Sequence, residues 1–164
     1  MRKILSLMVV VVATFSIAGL AMAAPPDSTT RSGGLHFVAG PDATITGTGA
    51  LNITGEVAGA GQTATGTLSY DLTVTTGCIN PGSKDQEPSG LQSTTTSVDE
   101  SFDLRPTRQG RATINETTND PTTSGRECPR PMRATIVDVT YTNVVLTISS
   151  TSGTVTASWA EISN

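Results

Sequence analysis

Histidine, cysteine and aromatic side chains are scarce in this chain, and each shortage closes off chemistry. His36 is the single histidine, Cys78 and Cys128 are the two cysteines, and aromatics make up 4% of the 164 residues. A catalytic triad needs a base held between a nucleophile and an orienting carboxylate. His36 is the one imidazole available for that role, and no Gly-x-Ser-x-Gly turn accompanies it. It alternates with Leu35 and Phe37, which places it on a strand as a surface or packing residue. Structural zinc takes four ligands, mostly nitrogen and sulfur, and one histidine with one cysteine pair does not supply them. Lysine is confined to Lys3 and Lys84, and charged residues are 15% of the chain. Without a broad basic surface, nucleic acid is not an expected partner.

Long apolar runs are also missing, with one exception at the start. Arg2 and Lys3 precede an apolar stretch from Ile4 to Leu20, and Ala21-Met22-Ala23 ends it with small residues. This is the three-part layout of a secretory signal peptide. The stretch is shorter than the roughly 20 residues a membrane span uses. Residues 1–23 are therefore expected to be removed, which leaves 141 of the 164 residues. Eight basic and fourteen acidic side chains then remain, a net charge of −6. That balance is ordinary for a soluble domain. The processed chain is expected to be extracellular and without a membrane anchor. Residues 24–33 carry no apolar periodicity and read as a flexible lead-in. Residues 34–164 are long enough for one domain with a real core.

What the chain has in abundance is threonine, glycine, serine, alanine and valine. Threonine and valine are stiff at χ1 and favour the pleated backbone. Period-two patterning runs through most of the sequence. Leu68, Tyr70, Leu72 and Val74 fall on one face while Thr67, Ser69, Asp71, Thr73 and Thr75 fall on the other, a pattern that a helix would scramble. Leu51, Ile53, Gly55 and Val57 do the same, as do Val155, Ala157 and Trp159. Short strands are expected at 35–38 and 44–46, with Gly40-Pro41 closing the first. Further strands are expected at 92–104, 111–117, 135–141 and 144–148. Glu100 breaks the apolar phase of its strand and suggests a bulge or an edge position. Seven or eight amphipathic strands must hide their dry faces against each other. The expected fold is all-β: an immunoglobulin-like antiparallel β-sandwich, with a small β-barrel as the alternative.

Two long loops interrupt the strands, at 79–91 and 118–133, and both are rich in proline and glycine. Cys78 ends a strand and Cys128 lies in the second loop. An even cysteine count in an exported chain favours a disulfide between them. That bond would staple the two loops at one end of the sandwich, unlike an antibody bridge between mid-strand cysteines. Loops on a rigid scaffold are where such folds place recognition. Asn80, Lys84, Asp85, Glu87, Arg126 and Arg130 are the side chains available there. Six arginines between Arg105 and Arg133 form the most uneven charge feature, suited either to recognising anionic sugar, carboxylate or phosphate groups or to balancing the acids on neighbouring loops. Asp85, Glu87, Asn119 and Asp120 are loop acids and amides without a calcium-loop pattern. No metal or cofactor is expected. Asn52-Ile53-Thr54 and Asn115-Glu116-Thr117 match the glycosylation sequon.

The segments Leu35-His36-Phe37, Thr76-Gly77-Cys78, Gly90-Leu91-Gln92 and Cys128-Pro129 resemble those of a group of small secreted bacterial all-β proteins. The resemblance implies export and a β fold; it implies no activity, cofactor or site. The leading expectation is thus a secreted, non-catalytic binding or surface-interaction module for an extracellular macromolecule or surface. The alternatives are an extracellular hydrolase, which needs a pocket uniting His36 or Glu100 with another acid, and a carrier of a small apolar ligand. Gly55, Gly66 and Ala112 at inward positions would leave room for such a ligand between the sheets.

Overall fold

Alternation of small apolar and hydroxyl side chains decides the secondary structure throughout. The computed structural model describes residues 23–82, 88–123 and 125–163. Among these residues the chain forms β1 (Ser28–Gly33), β2 (His36–Ile45), β3 (Leu51–Ala58), β4 (Ala64–Ile79), β5 (Ser89–Leu104), β6 (Ala112–Thr117), β7 (Arg133–Ser150) and β8 (Gly153–Ser163). The strands pair antiparallel into a five-stranded sheet, β1-β8-β7-β4-β5, and a three-stranded sheet, β2-β3-β6. This is an open two-layer sandwich and not a closed barrel. Leu51, Ile53, Val57 and Ile114 of the small sheet face Leu68, Tyr141, Leu146, Ile148 and Trp159 of the large one, and all are buried. Burying each large aliphatic side chain contributes about 1.5–3 kcal/mol.

The structure corrects several sequence expectations. The unpatterned stretch 24–33 is no loose lead-in. Ser28–Gly33 pairs along β8, and the Ala24 backbone pairs with Ala43 of the small sheet. The Ala24 carbonyl also accepts the Trp159 indole N–H at 3.0 Å. Hydroxyl-rich edge strands hide little apolar surface, so their pattern is weak even when their backbone is paired. The short strands expected at 35–38 and 44–46 are one strand, β2, whose register shifts around Ala39 absorb Gly40-Pro41. Likewise 135–141 and 144–148 join as β7. Its phase change falls at Asn143, a non-glycine residue at φ 52 beside a register shift. Asn143 donates to the Asp71 carboxylate at 2.9 Å, which suits a polar side chain to this bulge. The leader up to residue 22 lies outside the described residues.

Space between the sheets is filled where glycine suggested room. A Cβ on Gly66 would meet the Phe102 ring at 2.1 Å, because the end of that ring reaches over the glycine from β5. Pro41 takes the space above Gly55 in the same way, 3.1 Å from a Cβ built there.

Strand length positions the candidate site. β4, β5 and β7 run 16, 16 and 18 residues, while β2, β3 and β6 run 10, 8 and 6. At about 3.3 Å per residue the long strands reach roughly 50 Å, well past the small sheet. The inner face of β4 records where the cover stops. Ala64, Leu68 and Tyr70 are buried, whereas Leu72 and Val74 are half-exposed.

Candidate binding cleft

The uncovered part of the large sheet is roofed by the segment between β6 and β7. Period two puts Tyr70, Leu72, Val74 and Thr76 on the inner face of β4. The register Tyr70–Val98, Leu72–Thr96, Val74–Thr94 and Thr76–Gln92 sets the matching row of β5 beside them. Asn119, Asp120, Pro121, Thr122, Gly125 and Arg126 lie above. Floor and roof enclose a cleft of about 470 Å³.

Four anchors hold the roof. The Thr118 hydroxyl, just past β6, accepts the Leu51 amide at 3.0 Å. Asp120 accepts the Thr48 hydroxyl at 2.6 Å. Cys128 is bonded to Cys78, with Cα atoms 5.8 Å apart. The Arg126 guanidinium donates to the Gln92 side chain at 2.9 Å and to the Gly90 carbonyl. The expected staple is thus a tie between the end of β4 and the roof. The first loop is shorter than expected, because β4 extends to Ile79 and β5 begins at Ser89.

The two ends of the cleft differ in charge. Glu100 sits at one end and accepts the Tyr70 hydroxyl at 3.2 Å. The bulge expected at Glu100 is absent. Pairing between β4 and β5 is unbroken there, with Leu68 opposite Glu100, and β5 is an edge strand as expected. Asp120 lines the same end. Burial, then the charge and hydrogen bond of Glu100, hold the Tyr70 phenol well above its ordinary range. Burial also raises the Tyr141 phenol; Asp120 and Glu100 both add to it, against the lowering effect of a Thr118 hydrogen bond. Tyr141 donates to the Gly49 carbonyl at 2.9 Å and meets the Tyr70 ring edge-on, with centroids 5.4 Å apart. Both carboxylates therefore act on one phenol at the seam of the sheets. At the other end stands Arg126, whose Nε is buried without a hydrogen-bond partner.

No family model, curated protein or solved structure matches this chain.

Of the recognition residues expected from sequence, Arg126 lines the cleft. Asn80 and Arg130 are exposed near its disulfide end but do not line it. Lys84, Asp85 and Glu87 lie outside the described residues. His36 is remote from Glu100 and Asp120: it borders a separate shallow groove with Arg31 and Val155, and its Nδ1 is bonded to the Gly34 carbonyl at 2.9 Å. The arginine run divides between the two ends of the sandwich. Arg105, Arg108 and Arg111 follow β5 at the Ala64 end, where Arg111 pairs with Glu56 at 2.6 Å. Arg126, Arg130 and Arg133 lie at the Cys78 end. Among the described residues no three metal-capable side chains cluster, and no helix is long and apolar enough to cross a membrane.

Sequence reasoning missed the cleft floor. Its signal was present in the period-two run from Leu68, which continues in phase to Cys78.

Proposed function

We propose that this protein is a secreted, non-catalytic binding module whose recognition site is the cleft beneath the disulfide-tied roof. The leader-like N-terminus and the bond between the two cysteines support export into an oxidising space. The strand order β8-β7-β4-β5 facing β2-β3-β6 supports an immunoglobulin-like connectivity. The observation that carries the proposal is the cleft itself: a half-open volume of about 470 Å³, with an apolar floor of Leu72, Val74 and Val98 and polar groups at both ends. Sites with that mixture bind ligands, since apolar walls supply affinity and a few placed polar groups supply orientation.

The test is a filled cleft. Thr96→Trp places an indole over the floor, while Ser101→Ala alters the outer face of the same strand. Labelled wild-type protein and both variants are applied to arrays of peptides and glycans. Binding by the wild type and Ser101→Ala, with at least a tenfold loss for Thr96→Trp, is the expected result. Equal binding by Thr96→Trp, or no binding by the wild type, refutes the proposal.

A second reading draws on one observation, that Glu100 and Asp120 line the same cleft. Paired carboxylates across a cleft are the equipment of glycoside hydrolysis. Release of reducing ends from polysaccharide by wild type but not by Glu100→Gln would favour it over simple binding.

A further inference from the structure

A sheet edge offers unpaired backbone groups to any extended chain, and proteins commonly blunt such edges by shortness, bulges, proline or charge. The edge strands here are β1, β5, β2 and β6. Three are blunted. β1 and β6 have six residues each, and β2 carries Pro41 amid register shifts. β5 is not. It has sixteen residues, and its register against β4 is unbroken from Leu104 to Gln92. Between Ser93 and Val98 it holds neither charge nor proline. Arg126 already takes the Gly90 carbonyl and the Gln92 side chain, so the open stretch starts at Ser93. No described strand pairs with its outer side.

The inner face of this open edge is the cleft wall. Thr94, Thr96, Val98 and Glu100 alternate into it. A chain laid along β5 would continue the sheet through main-chain hydrogen bonds and send every second side chain beneath the roof. Those side chains line up beside Thr94, Thr96 and Val98 of β5, with Leu72 and Val74 one strand further in, and extend the apolar floor at its open rim. At Glu100 and Asp120 they meet two carboxylates that act on one phenol, and the cleft's own cation, Arg126, is bonded at the opposite end. An incoming side chain at that point is favoured when it is cationic.

Resting on the cleft as the binding site, we propose that its ligand is an extended peptide segment that adds to the free edge of β5. Aliphatic or β-branched side chains lie beside Thr94, Thr96 and Val98 at the rim of the cleft, and one lysine or arginine reaches in toward Glu100 and Asp120.

The probe is an acetylated, amidated octapeptide of alternating threonine and valine with lysine in place of one valine. It is titrated into the isotope-labelled protein while backbone amide exchange and methyl shifts are followed. Alternate amides from Ser93 to Asp99 should slow at least tenfold at saturation. Exchanging the probe's lysine for glutamate should weaken binding at least tenfold. The double variant Glu100→Gln, Asp120→Asn should bind the lysine probe several-fold more weakly and the all-valine/threonine probe unchanged. Thr96→Lys, an inward charge on the edge strand, should abolish binding with the spectrum of the folded protein retained. Methyl shifts at Leu72 and Val98 without slowed β5 amides would overturn strand addition and leave the cleft as a site. A glycan that binds the cleft where the peptide does not has the same consequence. Slowed β5 amides that appear without peptide and grow with protein concentration would assign the edge to a second copy of this chain, and overturn the proposal. Peptide binding unaltered by Thr96→Trp would remove the cleft and the peptide together.

Discussion

Removing the bond between Cys78 and Cys128 separates the stability of the sandwich from the integrity of its cleft. The bond closes an interval of 50 residues. In the chain-entropy account, opening that interval frees the unfolded chain by about 4 kcal/mol. Melting entropy near 2.1 cal/mol/K per residue converts this into a fall in Tm of roughly 14 °C for a domain of this size. The folded state should lose far less. The roof remains anchored at Thr118 on one side and at the β4–β7 pairing of Ile79 with Arg133 on the other. The double variant Cys78→Ala, Cys128→Ala should therefore keep its β-type circular dichroism at 25 °C, melt much earlier by calorimetry, and show faster amide exchange in residues 119–132. Wild type held in reductant should behave like the variant. A melting point lowered by less than about 4 °C would mean that the bond does not constrain the unfolded chain as argued. Unchanged exchange in the roof would mean that the tie does not hold the cleft.

Other outcomes follow from particular contacts. Gly66→Val drives two methyl groups into the Phe102 ring and should cost about 1–3 kcal/mol in urea unfolding. Much of that loss should return in the double variant with Phe102→Ala. Tyr70 and Tyr141 are raised in the folded protein, so the unfolded chain ionises first as pH rises. Their contribution to stability is complete below the ordinary tyrosine value of about 10 and is lost as pH climbs above it. Absorbance at the phenolate band should rise together with loss of circular dichroism; two tyrosines titrating normally in the folded state would refute the burial argument. Asn143→Val forces a β-branched residue into positive φ and breaks the bond to Asp71, which should cost about 1–2 kcal/mol; Asn143→Gly should cost less.

The two-layer architecture was legible because one physical fact carried it, the alternation of apolar and hydroxyl side chains. The run from Leu68 to Val74 named both its strand and its buried face. What stayed hidden depended on pairing between distant segments. β1 offers no apolar signal, since every residue in it is exposed. Gly40-Pro41 and Asn143 looked like strand ends, and only a neighbouring strand can show that they are bulges. Glu100 stood out as an acid on a dry face, but its explanation lies in the Tyr70 hydroxyl, 30 positions away. Redox logic paired Cys78 with Cys128 and so marked the end of the sandwich where the cleft lies. The cleft floor stayed hidden, because sequence does not disclose that the small sheet is shorter than the large one.

Ala24 illustrates how much rests on a single carbonyl. That oxygen accepts one N–H from Ala43 in the small sheet and another from Trp159 in the large one, at 2.9 and 3.0 Å. Processing after Ala23 would make residue 24 the new terminus, and its ammonium could still donate to the Ala43 carbonyl. A peptidase that trimmed even one residue further would take away the stitch joining the two layers at this corner, so in a processed chain the choice of scissile bond would also set how firmly the molecule is closed.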